Sequence, residues 1–275
     1  MKKKRRFTRL GLIVAMVFAV PCFLIFAAIS VSELISAING PQDLEIVHGS
    51  LHITSQAKDP VTGIESAIIV RKTEMLQYHE RSVKNGNTYD TEVETVWKES
   101  HIDSFRNGFT KYENPPFPEE LKSADLFGTA EIGESGVRLA KPLMQCFRFA
   151  DESYVGDAMI GAPDLPDDLL DEFGLIQTSP GRFISKGMTE KDPGCIVVTY
   201  TILNPELEGT MITAAGVFTE DGALGAHDYE KVLYTRNVTD EELCADFKND
   251  AKHNAVFFMI AALVVLVVML FLWMK

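Results

Sequence analysis

The chain has 275 residues, 24% of them charged, and 39 acidic side chains against 26 basic ones leave a net charge of −13. That balance excludes nucleic-acid recognition through phosphate neutralisation, which needs a basic face, and it works against docking on anionic lipid headgroups. Four cysteines are too few for a disulfide framework, and a chain of this length can bury a core without one.

The N-terminus is strongly basic over residues 1–9 (MKKKRRFTR), and residues 10–29 form an uninterrupted apolar run that contains Pro21 and Cys22. Its length is what a helix needs to cross about 30 Å of hydrocarbon. A cleaved secretory signal also starts with basic residues, but its apolar region is usually about 7–15 residues, so a retained transmembrane helix is expected. Residues 31–39 (VSELISAIN) continue with amphipathic spacing until Gly40-Pro41 breaks them. Extended stretches follow: LEIVHGSLHI, ESAIIVRKTEMLQYHE and, after the hairpin cue Asn85-Gly86-Asn87, TYDTEVETVW. A short helix is expected over residues 100–107, and the prolines of residues 113–118 (ENPPFP) require irregular backbone. Residues 164–172 (DLPDDLLDE) read as a short helix with carboxylates at its positive end. The strongest strand candidates are residues 194–203 (GCIVVTYTIL) and 209–219 (GTMITAAGVFT). Thr239 is an N-cap with Glu242 at the capping-box position, opening a helix that runs into a second apolar run, residues 255–274.

Charge orients the two spans. Seven of the basic residues (Lys2, Lys3, Lys4, Arg5, Arg6, Arg9 and Lys275) flank the runs with no acidic residue among them, so residues 30–254 hold 19 basic and 39 acidic residues, a net of −20. Basic residues beside a first span stay cytoplasmic. The expected organisation is therefore a cytoplasmic tail (1–9), a span (10–29), an acidic extracytoplasmic domain (30–254) and a second span (255–274), with both termini cytoplasmic. Lys248 and Lys252, just ahead of the second span, pull weakly the other way. The membrane would be the inner one in a bacterium.

Catalytic signatures are scarce. The chain has no H-E-x-x-H, G-x-S-x-G, P-loop or strand-linked G-x-G-x-x-G motif. His48 and His52 are four apart, but they flank Gly49-Ser50 in an extended segment, which does not make a zinc pair. The acidic run at 164–172 lacks the glycine of a calcium loop. Cys146, Cys195 and Cys244 lack C-x-x-C spacing; one disulfide with a spare thiol, or three thiols, are both open. Asn237-Val-Thr239 is a glycosylation sequon, meaningful in a secretory compartment. No catalytic, cofactor-binding or metal-binding residue is expected. Two short matches, Gly49-Ser-Leu51 to Lys58-Asp59-Pro60 and Gly181-Arg-Phe183 to Lys191-Asp192-Pro193, raise the idea of a duplicated β-unit.

The segment 70–80 (VRKTEMLQYHE) gives no clean two-residue period. One face carries Val70, Lys72, Glu74, Leu76 and Tyr78, the other Arg71, Thr73, Met75, Gln77 and His79, and each mixes charge with apolar bulk. Arg71, Glu74, Met75, Gln77, Tyr78 and Glu80 fit an R-x-x-E-M-x-Q-W/Y-x-E pattern. Trp97 leads to Ile102, Asp103, Ser104 and Phe105, and Asn114-Pro115 follows. Upstream stand Val47-His48-Gly49, Leu51, Asp59-Pro60 and Gly63; downstream, Gly194-Cys195-Ile196 and Glu241-Glu242-Leu243 are looser echoes. Together these resemble the LUMA family of multi-pass membrane proteins (transmembrane protein 43 and bacterial relatives) over most of residues 45–250. Two departures matter: animal members carry further C-terminal spans, and the better-known members have Trp where this chain has Tyr78.

The resemblance implies an extracytoplasmic domain that organises membrane complexes and is not a catalyst, held in the endoplasmic reticulum or nuclear envelope if the chain is eukaryotic. Expected overall is an α+β, β-rich domain between two transmembrane helices, serving as a scaffold or as a sensor of envelope state. Its partners would be the bilayer and other membrane proteins, self-association included. A membrane-tethered hydrolase with a site assembled from distant residues is the alternative. Arg71, Glu74, Gln77 and Tyr78 are the candidate network: either an internal polar network with Arg71 and Glu74 both paired, or a surface that meets a partner.

Overall fold

The structure, a computed structural model, describes residues 9–39, 44–85, 88–102, 113–134, 136–149, 158–226 and 233–273. It is a mixed α+β fold with a sheet-rich body. The elements begin with α1 (Arg9–Asn39), β1 (Glu45–Ser55), β2 (Ala57–Lys58), β3 (Glu65–Ser66), β4 (Ile68–Asn85) and β5 (Thr88–Lys98). Next come β6 (Ala124–Phe127), β7 (Thr129–Ile132), β8 (Val137–Arg138), α2 (Lys141–Phe149), β9 (Met159–Gly161) and α3 (Asp167–Glu172). The chain continues through β10 (Leu175–Ser179), β11 (Arg182–Ser185), β12 (Ile196–Leu203), β13 (Met211–Phe218), β14 (Leu224–Ala226), β15 (Leu233–Tyr234) and α4 (Asp240–Trp273). Two units result: the long helices α1 and α4 belong to one, and Val47–His227 with Val232–Asn237 form the other.

The β-unit holds two main sheets. One runs β14-β13-β1-β7-β8 with β15 beside β13; the other runs β10-β11-β12-β4-β5 with β6 beside β4 and β9 beside β12. Both central strands of the second sheet are rich in β-branched residues, which suit a pleated surface packed on its neighbours. β12 pairs antiparallel with β4 from Ile196↔Met75 to Ile202↔Ile69. β4 then runs on as a hairpin with β5, in register from Met75↔Lys98 to Asn85↔Thr88. The expected hairpin is thus present, although Gly86 and Asn87 lie outside the described residues. Ile69, Leu121, Phe183, Val198 and Tyr200 lie at the centre of a buried cluster, in which Phe183 meets Tyr200 edge to face at 6.0 Å.

In the helical unit, Thr239 opens α4: its Oγ1 accepts the Glu242 N–H at 3.2 Å, and its carbonyl accepts the Leu243 N–H at 2.9 Å. Asp240, Glu241 and Glu242 sit in the first turn, where the helix dipole favours them. Among the described residues one stretch, Asp240–Val268, is long and apolar enough to cross a membrane; a shorter apolar stretch, Val20–Ile35, lies in α1. The helices run antiparallel: Ser30 Oγ donates to the Ala255 carbonyl at 2.9 Å, and the Phe26 and Phe258 rings stack with centroids 6.3 Å apart.

Other expectations fare differently. Residues 100–102 are not helical, and 103–107 lie outside the described residues, as do Gly40-Pro41, residues 1–8 and Asp103, Ser104 and Phe105. Residues 113–118 are irregular, as their prolines require. The matched segments behind the duplication idea occupy unlike settings. Asp59 is buried, whereas the Asp192 carboxylate, in an exposed turn, accepts the Thr189 N–H and hydroxyl. All four cysteines are free thiols. Helix α2 had no counterpart in the expectations; it buries Leu143, Met144 and Phe147 on one face.

Candidate functional site

Strand β4 explains its own mixed pattern. Ile69, Arg71, Thr73, Met75 and Gln77 alternate onto one face and all are buried, whereas Val70 and Glu74 are half-buried and Lys72 is exposed. Over residues 69–75 the strand therefore alternates in burial but not in polarity; at either end Ile68 and Leu76, on the opposite face, are buried as well. A buried polar group must find partners or lose free energy, and each of these does.

Arg71 forms the centre. Its guanidinium is 6% exposed and faces Asp59, which is fully buried, with Nη1 at 2.9 Å from Oδ2 and 3.1 Å from Oδ1. Nε donates to the Lys122 carbonyl at 2.7 Å, and Nη1 also lies 3.4 Å from the Tyr200 hydroxyl. The Asp59 carboxylate accepts the Val61 and Thr62 N–H groups at 2.8 and 2.9 Å, which fixes the turn from Asp59 to Gly63. Gly63 closes that turn with φ of +72°, a conformation that favours glycine. Burial pushes the Tyr200 phenol above its ordinary pKa; the Arg71 hydrogen bond opposes this and the Asp59 charge adds to it. The ion pair thus ties the Asp59 turn, the backbone at Lys122 and strand β12 to β4.

The next residues repeat the device. Thr73 Oγ1 donates to the Leu121 carbonyl, and the Thr73 N–H donates to Ser123 Oγ at 3.0 Å. Gln77, fully buried, donates through Nε2 to the Ser100 carbonyl at 2.8 Å and accepts the Ile102 N–H on Oε1 at 2.7 Å. Tyr78 enters through its backbone: its N–H donates to Asn114 Oδ1 at 2.7 Å, and its carbonyl accepts from Asn114 Nδ2 at 3.0 Å. A side-chain amide there stands in for a neighbouring strand. Each buried polar residue of β4 moors a segment outside the sheet ladders: Arg71 the Asp59 turn and Lys122, Thr73 the end of the 3-10 turn Glu119–Leu121, and Gln77 residues 100–102.

Glu74 stands outside this buried network: it pairs with Lys72 at 3.0 Å on the outer face, where the two side chains are 31% and 49% exposed. The reason is parity: positions 71 and 74 point to opposite faces of a strand. Asp59, Tyr200 and Asn114 were not among the candidate site residues. The available signal for Asp59 was the spacing Asp59-Pro60-Val61-Thr62-Gly63, an aspartate that can hydrogen-bond the backbone two residues on.

An open groove of about 290 Å³ lies over Val70 and Lys72, bordered by Glu99, Ser123, Asp125 and Arg148. Its charges are paired: Arg148 with Asp125, and Lys72 with Glu99 at 4.0 Å and with Glu74 outside the groove at 3.0 Å. His48 Nδ1 lies 3.0 Å from Thr213 Oγ1, and His52 Nδ1 lies 3.7 Å from Glu208. Both histidines are on β1, where four residues of rise separate them by about 13 Å, too far for one ion. Among the described residues no group of three or more His, Cys, Asp or Glu could hold a metal. Burial raises the Cys146 and Cys195 thiols above their ordinary pKa, which keeps them protonated and weakly nucleophilic. No protein-family model matches the chain, and no curated protein or solved structure does either.

Proposed function

We propose that the chain is a two-pass integral membrane protein whose β-rich body lies outside the cytoplasm and organises membrane protein complexes without catalysing a reaction. The observation that carries this is the apolar surface of the helical pair. Leu24 and Ile25 of α1, and Phe257, Met259, Ile260, Leu263, Val264 and Val267 of α4, are all at least half exposed. An apolar helix that presents such side chains outward calls for hydrocarbon around it, not water. The register is consistent with two spans. With Ser30 opposite Ala255 and Phe26 opposite Phe258, carrying the antiparallel alignment along the helices sets the start of the first apolar run against the end of the second. A hydroxyl bonded to a carbonyl of the adjacent helix is a contact that apolar surroundings favour.

The basic residues 1–9 support cytoplasmic termini, and the resemblance to the LUMA family supports a scaffold. The β4 network fits that role: its polar groups go to holding loops in place, which makes a stiff body. Cysteine accessibility in intact membranes tests the topology. Asp164→Cys should be labelled from outside, and Thr8→Cys and Lys275→Cys should not, each against the parent chain as background. Outside labelling of Lys275→Cys would reject the two-span arrangement. Release of the chain from membranes by alkaline carbonate would reject the membrane assignment altogether.

A further inference from the structure

The β4–β5 hairpin outlasts the sheet that carries it. β6 pairs with β4 only over residues 68–71, and β12 only over 69–75. Beyond Met75 the outer edge of β4 is covered twice more: Leu76 bonds Cys195 and Gly194 through its N–H and carbonyl, and Asn114 takes both groups of Tyr78. Backbone groups alternate in direction along a strand. Because Leu76 and Tyr78 point theirs away from β5, so do Glu80, Ser82 and Lys84. Among the described residues no group meets these three donors and three acceptors. An open strand edge is a template for another strand.

The side chains say which strand. On one face of the hairpin the charges are paired within the chain: His79 lies 3.7 Å from Glu94, and Arg81 lies 3.5 Å from Glu92 and 3.4 Å from Glu94. On the other face Glu80 stands opposite Val93, and Lys84 opposite Tyr89. Among the described residues neither Glu80 nor Lys84 has an ion-pair partner, and Glu80 Oε1 is out of solvent with no hydrogen bond.

We infer that a second copy of this chain pairs its own β4 with this edge, antiparallel, about a two-fold axis at Ser82. In that register Glu80 faces Lys84 of the second copy and Lys84 faces Glu80, so one edge sequence forms two ion pairs with itself. The neighbouring registers lack this. Centring on Glu80 or Lys84 opposes like charges, centring on Arg81 opposes two arginines, and centring on Val83 brings no opposite charges together. A two-fold interface uses the same patch on both copies, and opposite charges directly across strands stabilise the pairing. The inference goes beyond the membrane assignment and rests on the hairpin alone.

Disulfide trapping of the full-length protein in membranes tests it. Hydrogen-bonded antiparallel neighbours have Cα atoms about 5.5 Å apart, inside the roughly 4.4–6.8 Å that a disulfide spans. Ser82→Cys should give an oxidised dimer that the parent chain does not give, and Arg81→Cys and Val83→Cys should give several-fold less. Adding Glu80→Lys or Lys84→Glu to the Ser82→Cys chain should lower the dimer yield on the order of tenfold. Co-expressing these two charge variants under different tags should restore a mixed dimer, because each substituted edge then complements the other. That restoration also shows that the variants are folded. Absence of a Ser82→Cys dimer, yields indifferent to the charge changes, or stronger trapping through Val83→Cys would each overturn the proposal.

Discussion

Asp59→Ala removes one partner of the only buried ion pair among the described residues and leaves the Arg71 guanidinium, 6% exposed, with uncharged neighbours alone. The Lys122 carbonyl and the Tyr200 hydroxyl remain, but neither offsets a full charge held away from water. Breaking a buried pair in this way typically costs about 3–5 kcal/mol. The Val61 and Thr62 N–H groups also lose their acceptor, at a smaller cost because both residues are partly exposed and water can replace it. For a body of this size each kcal/mol moves Tm by about 2–4 °C, so the transition should fall by about 6–20 °C. The assay is thermal unfolding of the full-length protein in detergent, followed by the β-sheet signal in circular dichroism. Glu74→Ala is the internal comparison: its pair with Lys72 is on the outer face, and exposed pairs are worth about 0–1 kcal/mol. Replacing both members of the buried pair, as Asp59→Ala with Arg71→Met, should recover part of the loss because no charge is left stranded. If Asp59→Ala melts with Glu74→Ala, the claim that Arg71 is held by a desolvated ion pair is wrong.

Two further outcomes follow from the same region. Gly181 has φ of +68°, and a Cβ there would stand 2.2 Å from the Tyr200 carbonyl oxygen and 2.7 Å from the Ala162 nitrogen; Gly181→Ala should therefore destabilise the body by roughly 2 kcal/mol or more, seen as a lower denaturation midpoint. An unperturbed tyrosine titrates near pH 10, and burial raises Tyr200 above that in the folded state. The unfolded chain then loses this proton first as pH rises, so the contribution of Tyr200 is fully present below about pH 10 and is lost as pH climbs through the folded value. Tyr200→Phe should flatten that alkaline loss in denaturation curves taken from pH 8 to 11, and an unchanged slope would count against it.

Sequence alone determined the features that depend on local pattern. Apolar length marks residues 255–274, because no short-range polar group interrupts them. Thr239 with Glu242 marks the start of α4, because a cap is satisfied within one turn. Asn85-Gly86 marks the β4–β5 hairpin, because a tight chain reversal is signalled by adjacent residues. The strands around Ile196–Leu203 and Met211–Phe218 were legible through their β-branched runs. What the tertiary structure decided is the meaning of polar residues inside β4. Whether Arg71 is solvated or buried depends on Asp59, Lys122 and Tyr200, which stand 12, 51 and 129 positions away, and no periodicity within residues 70–80 reports on them. The same holds for Gln77 and Asn114: each is an ordinary polar residue in the sequence, and only the close approach of segments without ladders of their own gives it a backbone to satisfy.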